Sequence, residues 1–486
     1  MRKEYLHLVF GLKIRLFRQQ KGLTLQQLAA LTNTTVSYLH DMESGKKYPS
    51  QDKILVLAQA LETDYDTLVS PRSVKKLLPV IDLLESDVFK IYPLEMFGLK
   101  PEKVIELLAA SPEKVSAFIG AVLKIGRNYH LTRESIHQAA LRSYQGLHDN
   151  YFPDIESAAQ AFRRQQGWAD QQNALKTEAL QKALAECYGI DIDRKVLAGE
   201  PDLQSIRSYF IPAKNTLYLN HGLSSAQENF LIGREIGFQA LNIHDNRPFE
   251  TIIQQAEHFD KLLNNFRASY FSSALLMDQD VLADSLRQWT NLLHWRPDDW
   301  LDLLDRFDVT PEMLLQRLTN ILPFHFGLKD LFFIRMVGNN TLDSFEMSKE
   351  LHLSGQQSPY ATEHGDHYCR RWISIDILRQ IRQSPPQGIL VTAQKSAYWQ
   401  TDRVYFCLSM SQATRPDVSV TLGLLHNDSL RRHFPQVDDP ALLQKTVNTT
   451  CESCSVPDCA ERAAQPTEVQ QAEKLQRISD ALRNLH

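Results

Sequence analysis

Apolar residues recur along this chain in two rhythms, and the change of rhythm divides it. Over residues 9–20 the apolar positions Val9, Leu12 and Leu16, widened by Phe10 and Phe17, fall three to four residues apart, the spacing of one helical face. Gly22 ends that helix. Thr24 is placed to cap a second over 25–31, with Gln26 and Gln27 in its first turn, and Thr35 a third over 36–44 that stops at Gly45. Residues 9–68 as a whole predict five short helices. The stretch 73–146 is helical in pattern, broken at Pro93, Pro101 and Pro112, with apolar faces over 74–84 and 115–125 that need a partner. Residues 158–188 predict one or two helices whose solvated side carries Lys176, Glu178, Lys182 and Glu186. Two short strands around Lys214 and Asn215 then lead to a helix opened by Ser224, and Pro297 and Thr310 open two more with acidic first turns. Beyond Pro323 the period becomes two. Segments 331–337, 388–393, 403–410 and 417–424 predict strands, with one helix over 374–383 between them, hence a mainly antiparallel sheet with a helix on one face.

With 486 residues the chain exceeds one compact domain, and 43% hydrophobic content supplies material for several cores. The net charge of −5 gives no global attraction to nucleic acid or membrane, so any DNA contact must come from a local patch. There is no run of eighteen apolar residues, and the N-terminus lacks the apolar core of a signal peptide; a cytoplasmic protein without membrane association is expected. Six cysteines in so long a chain make no disulfide framework. Cys451, Cys454 and Cys459 fall within nine residues, which in a reducing compartment points to metal.

At the front, Leu25, Leu28, Ala29, Tyr38, Leu39 and Met42 would hold together two helices joined by a short turn, the second starting at a Thr cap. A recognition helix reads the major groove with its N-terminal turns. This places Val36, Ser37, His40 and Asp41 toward base edges, with Thr35 capping the DNA-binding helix, and Gln26, Lys46 and Lys47 toward phosphates. The pattern Gly-Leu-Thr-x-x-x-Leu-Ala followed by Val-Ser-Tyr-Leu-x-x-x-Glu-x-Gly-Lys-x-x-Pro-Ser resembles the Cro/C1 (XRE) repressor type of helix-turn-helix. Residues 1–70 hold nine Lys/Arg against seven Asp/Glu. One copy neutralises few phosphates, so a homodimer over two half-sites of a duplex operator is expected.

In the middle, Phe230-Leu-Ile-Gly-Arg234-Glu235-Ile-Gly-Phe238 has the spacing of a His-Glu-x-x-His zinc-peptidase helix, with Arg234 and Phe238 at the ligand positions and only Glu235 retained. Neither guanidinium nor phenyl ligates zinc. Hairpin followed by Glu-centred helix resembles the ImmA/IrrE-type metallopeptidase domain. The phrases starting at Leu141, Asn264 and Asp308 resemble the same domain in the short-chain fatty acyl-CoA regulators. The resemblance implies a pseudo-peptidase, not an enzyme, whose old pocket, lined by Tyr209, Phe210, Leu217, Tyr218, Arg234, Glu235 and Phe238, takes an effector. Arg234 would be the cation for a phosphorylated ligand such as an acyl-CoA.

The run Cys451-x-x-Cys454-x4-Cys459 gathers soft ligands that select zinc or iron–sulfur. Cys369 is the expected fourth ligand, with His364 or His367 in reserve, while Cys187 and Cys407 fit buried positions. The Cys-rich tail resembles the C-terminal signature of the acyl-CoA regulators, which implies an iron–sulfur cluster; zinc is the alternative. Together these readings give a multidomain chain, mainly α with an α+β C-terminal half. Residues 1–70 form a five-helix repressor-type head, 71–146 a helical linker suited to dimerisation, 147–322 a peptidase-like α+β middle, and 323–486 an antiparallel-sheet sensor domain with the cysteine cluster. The function expected is a DNA-binding transcriptional regulator responding to a short-chain acyl-CoA or related metabolite. Its rivals are a zinc metallopeptidase that cleaves a repressor and a phage or toxin–antitoxin type repressor with a protein partner.

Overall fold

The computed structural model describes residues 3–74, 77, 78, 81, 133–244, 250, 251, 259–353, 367–383, 388–413 and 416–483. The chain divides into two compact units, residues 1–144 with 255–262, and 145–254 with 263–486. The first opens with five helices, α1 (Lys3–Gln20), α2 (Leu25–Leu31), α3 (Val36–Glu43), α4 (Gln51–Ala60) and α5 (Tyr65–Val69). Both expected Thr caps form. Thr24 Oγ1 accepts from the Gln27 amide at 3.2 Å while Gln27 Oε1 accepts from the Thr24 amide at 2.8 Å, a reciprocal capping box. Thr35 Oγ1 accepts from the Tyr38 amide at 3.2 Å. Phe10, Ile14, Leu28, Leu39, Met42 and Leu57 meet in one core.

Two polar devices lock α1 in place. Arg18 grips Glu43 through two bonds, Nε to Oε1 at 2.6 Å and Nη2 to Oε2 at 2.9 Å, tying α1 to the end of α3. The fully buried Lys13 ammonium donates to the carbonyls of Thr67 (2.9 Å), Leu68 (3.2 Å) and Ser70, and to Ser73 Oγ (2.9 Å). Cations suit the carbonyl end of a helix such as α5, although burial pushes this ammonium down to about 8. The segments expected to be helical over 74–84 and 115–125 lie almost wholly outside the described residues; α6 (Arg133–Leu147) is the described part of that stretch's end.

In the second unit α7 (Pro153–Gln165) and α8 (Thr177–Tyr188) precede a small sheet of β1 (Asp191–Asp193), β2 (Ile206–Ile211), β3 (Thr216–Leu219) and β4 (Glu250–Thr251) in the order β1-β3-β2-β4. The β2–β3 hairpin turns at Asn215, which takes left-handed backbone at φ 45°. Then come α9 (Ser225–Ala240), capped by Ser224 with a second capping box, α10 (Phe259–Leu276), α11 (Gln279–Arg287), α12 (Pro297–Phe307) and α13 (Pro311–Phe326). α13 runs through Pro323 instead of ending there, because a proline in the final turn forfeits a single backbone bond; Gly327 in the left-handed region ends it. A buried bidentate pair, Arg317 with Glu156 at 2.5 and 3.0 Å, fastens α13 to α7.

The C-terminal strands are β5 (Leu331–Gly338), β6 (Phe345–His352), β7 (Ile389–Tyr398), β8 (Val404–Gln412), β9 (Asp417–Leu425) and β10 (Leu443–Val447), in the order β10-β7-β8-β9-β5-β6. All neighbours are antiparallel except β10 on β7. Side chains alternate across the sheet. One face carries Phe333, Phe406, Leu408 and Leu422 into a core shared with Leu304, Leu315 and Leu318 of α12 and α13. The other carries Ile334, Met336 and Cys407 toward α14 (Ile373–Gln383). The expected helix on one face is therefore matched by a second helical layer, and the apolar core crosses residue 323 without a break. α15 (Asp428–His433) and an exposed terminal helix α16 (Thr467–Arg483) complete the unit.

Candidate nucleic-acid interface and ligand centres

In the head, α3 turns Val36, Ser37 and His40 outward, all exposed, while Leu39 and Met42 point into the core. These three occupy one face of the N-terminal turns, the part of a recognition helix that reaches base edges. Thr35 is exposed but its hydroxyl caps α3, so it orients the helix. Asp41, expected at base edges, is instead half-buried and paired with Lys47 at 3.0 Å, and its carbonyl accepts from the Lys46 and Lys47 amides of the loop after α3. Gln26, Lys46 and Lys47 are exposed beside this surface. Sequence reasoning missed Lys53. Its ammonium stands 4.3 Å from the centre of the Tyr38 ring and Lys47 5.5 Å from it, so one aromatic ring gathers two cations flanking the recognition helix. The Pro-Ser cap followed by a Lys in the first turn of α4 was the available signal.

In the middle, the expected effector residues do not line one cavity. Arg234 is buried and donates to Ser208 Oγ at 2.8 Å and Asn265 Oδ1 at 3.2 Å. Burial presses its guanidinium down to about 10, against the opposing pull of Glu235, and it remains charged at neutral pH. Ser208 is adjacent to Tyr209 on β2, and alternation sends their side chains to opposite faces; Tyr218 pairs directly with Tyr209 and so shares its face, away from Arg234. Phe210 and Leu217 pair in the next register position. Glu235 accepts from Gln239 Nε2 at 2.8 Å, and Phe238 packs with Ile243 and Ala268. The Gly233 and Gly237 of this helix exist for close packing. A Cβ on Gly233 would meet Ser272 Oγ at 2.6 Å, and one on Gly237 the Ala268 carbonyl oxygen at 3.0 Å. Among the described residues no group of three or more His, Cys, Asp or Glu is set to hold a metal.

Two family models match parts of this chain. The helix-turn-helix family matches residues 14–68, and the IrrE N-terminal-like domain family matches residues 185–319. Among solved structures, a Mycobacterium tuberculosis transcriptional regulator is similar at a TM-score of 0.48 with 18% identity, over 68% of this chain and 93% of that one. No curated protein matches. The chain thus carries an XRE-type DNA-binding head and an IrrE-like domain. No helix among the described residues is long and apolar enough to cross a membrane.

The cysteines of the tail do come together. Cys369, Cys451, Cys454 and Cys459 line one small cavity, the first three buried. The Cys369 amide donates to the Thr449 carbonyl at 2.9 Å, and the Cys451 amide to that of His367 at 2.8 Å, which join the two cysteine segments as a short β-bridge region. The Ala463 amide donates to Cys451 Sγ at 3.3 Å. Burial raises the Cys369 thiol, as do Cys451 and Cys454, while backbone N–H groups of Asn448 and Arg371 pull it down. The four cysteines thus share one cavity wall, although among the described residues, these included, no three His, Cys, Asp or Glu are set to hold a metal. Arg462 buttresses the loop through the carbonyls of Cys451, Cys454 and Val456. His367 pairs with Glu452 at 2.8 Å; His364 lies outside the described residues. Cys407 is buried and its thiol is pushed up to about 12, an inert position as expected, whereas Cys187 is only half-buried.

Proposed function

We propose that this protein is a sequence-specific transcriptional regulator that binds duplex DNA as a homodimer through α3. Its C-terminal half senses a small metabolite, a short-chain acyl-CoA or a relative. The observation that carries the reading is the exposed triad Val36, Ser37 and His40 on the N-terminal turns of a capped helix, flanked by Lys46, Lys47 and Lys53. The bases are read by the triad, and the lysines supply phosphate contacts and salt dependence. Two heads on one operator compensate for the small charge excess of each. The IrrE-like domain serves as scaffold, since Arg234 and Phe238 flank the one acidic residue that a zinc peptidase would need as base. Cys369, Cys451, Cys454 and Cys459 would hold an iron–sulfur cluster or zinc, which would supply a redox- or metal-dependent constraint on the tail.

The test is selection of bound duplexes from a random pool, followed by titration of the winner. His40→Ala and Ser37→Ala should each lose about 1–3 kcal/mol on the selected site and relax preference at one base pair. Lys46→Ala and Lys47→Ala should weaken all duplexes alike and flatten the salt slope by about one each. Absence of any enriched sequence, or enrichment unaffected by His40→Ala and Ser37→Ala together, would refute the reading. Stoichiometric zinc in a Cys454→Ser protein, with hydrolysis abolished by Glu235→Gln, would favour the peptidase instead.

A further inference from the structure

One apolar residue stands among polar ones on the outward side of the recognition helix. Val36 is 41% exposed in the first turn of α3, with Ser37 and His40 exposed beside it. A single exposed valine needs no explanation on most surfaces, but the position of this one does. Each of α4–α16 carries Asp or Glu in its first turn, where a carboxylate meets the positive end of the helix dipole. Among the described residues α2 and α3, the helix-turn-helix pair, carry none there. A carboxylate at the start of α3 would repel the phosphates of a duplex, which accounts for the missing acid and not for a valine. Valine is a weak helix former, because its branched Cβ loses rotamer freedom in a helix. Nor does it join the core of the head, which draws Leu39 and Met42 from α3 with Tyr38 packed against them. What it gains must come from a partner.

The chemistry of the surface narrows that partner. Both carboxylates of α3 are engaged, Asp41 with Lys47 at 3.0 Å and Glu43 with Arg18 at 2.6 Å, so neither is offered to the exocyclic amine of cytosine. Val36, Ser37 and His40 include no Asn or Gln for the two-point edge of adenine and no Arg or Lys for that of guanine. A serine hydroxyl serves any base, and a histidine any acceptor. The member of the triad with a preference of its own is the valine, whose exposed methyls match the one apolar group on a major-groove edge, the C5-methyl of thymine. Lys46, Lys47 and Lys53 around it complement the phosphates that bring such a base within reach. From these observations we infer that Val36 is a specificity-determining residue that selects a 5-methylpyrimidine at one position of each half-site, thymine in ordinary DNA and 5-methylcytosine where cytosine is methylated. The inference rests on the reading of α3 as the recognition helix.

The experiment uses the full-length protein and the duplex enriched by selection, with each thymine in turn replaced by deoxyuridine, which removes the C5-methyl and nothing else. Affinity should fall at one position in each half-site, by roughly four-fold for one methyl and roughly fifteen-fold when both half-sites are changed, the worth of one methyl-sized group removed from water. At that position a duplex carrying cytosine should bind more tightly once the cytosine bears the C5-methyl. Val36→Ala should weaken the thymine duplex and hold thymine and deoxyuridine duplexes alike. Val36→Thr, which keeps one methyl and the branched shape, should retain part of the difference. Melting curves establish that both variants are folded. A wild type that holds the selected duplex and is indifferent to every thymine methyl overturns the inference and leaves α3 as the recognition helix. So does a methyl effect that survives Val36→Ala, which assigns that methyl to another residue. If no duplex is enriched, the reading of α3 falls and this inference falls with it.

Discussion

Gly11 tests whether the recognition helix is positioned by packing against α1. A glycine in the middle of a helix ordinarily weakens it, and replacement by alanine at an exposed site stabilises by about 0.8–1 kcal/mol. Here the sign should reverse. A Cβ on Gly11 would lie 2.2 Å from the Met42 carbonyl oxygen, 2.9 Å from that of Glu43 and 3.0 Å from the Glu43 carbonyl carbon. Ordinary contact between such atoms is roughly 3.5 Å, so the end of α3 must retreat by about 1 Å. The obstacle is backbone, which cannot rotate away as a side chain would. Overpacking of a core costs about 1–3 kcal/mol, and a backbone clash belongs at the upper end of that range. The net expectation is a loss of about 1–2 kcal/mol, equivalent to a fall of roughly 4–16 °C in the melting of a domain of this size. The displaced end of α3 also carries Glu43, whose grip on Arg18 would loosen. Gly11→Ala should therefore lower both the melting temperature and the affinity for the selected duplex. A variant that melts higher than wild type and binds DNA equally well would refute the argument, and with it the claim that α1 sets the pose of α3.

Glu156→Gln leaves the fully buried Arg317 without its countercharge and should cost about 3–5 kcal/mol in denaturant unfolding of the C-terminal half, whereas Glu156→Leu with Arg317→Met should recover much of it. Burial holds the His325 pKa below its usual value. The unfolded chain then binds more protons as pH falls through about 6.5, so stability drops with acidification; His325→Gln should shallow that drop in melts compared between pH 7.5 and 5.5. Anaerobically purified protein should contain iron with sulfide and a broad visible absorption band, both lost in Cys454→Ser; zinc without colour would assign a structural knuckle, and no metal in either would remove the thiolate site.

The head was legible because its signals are local. Caps at Thr24 and Thr35, stops at Gly22 and Gly45, and the apolar stripe need only neighbours within four residues. That Cys451, Cys454 and Cys459 lie close together was legible for the same reason, and Cys369 lines the same cavity with them. What failed depended on long-range register. Nothing local says that Ser208 and Tyr209 face opposite sides of β2, so the expected pocket around Arg234 gathered residues that the hairpin separates. β6 and β10 escaped because both are edge strands. Glu346, Lys349 and Glu350 interrupt the first, and Gln444 and Lys445 the second, so neither shows clean alternation. A cavity beside α14 draws on β5, β6, β7, β8, β9 and the segment after β10. No single stretch of sequence contains enough of it to be noticed.

That same dispersal ties the wall of the cavity beside α14 to the cysteine loop. Trp399 and Trp372 line the cavity, and their indole N–H groups donate to Ser455 Oγ and the Asn448 carbonyl, each at 2.8 Å. Asn448 in turn donates through Nδ2 to the Ser453 carbonyl at 3.2 Å, and Thr449 accepts from the Cys369 amide. The cavity wall is therefore the backbone of the cysteine loop, reached without an intervening element. Any molecule that ordered Trp372 and Trp399 would stabilise the arrangement of Cys369, Cys451 and Cys454 that those bonds hold, and any ion held by the cysteines would preorder the wall in turn. The reciprocity follows from linkage alone, whichever partner binds first. Its size is set by how differently the two indoles sit with the cavity empty and filled, so Trp399→Phe, which removes the bond to Ser455 and little of the apolar wall, should lower the coupling while leaving each affinity close to its uncoupled value.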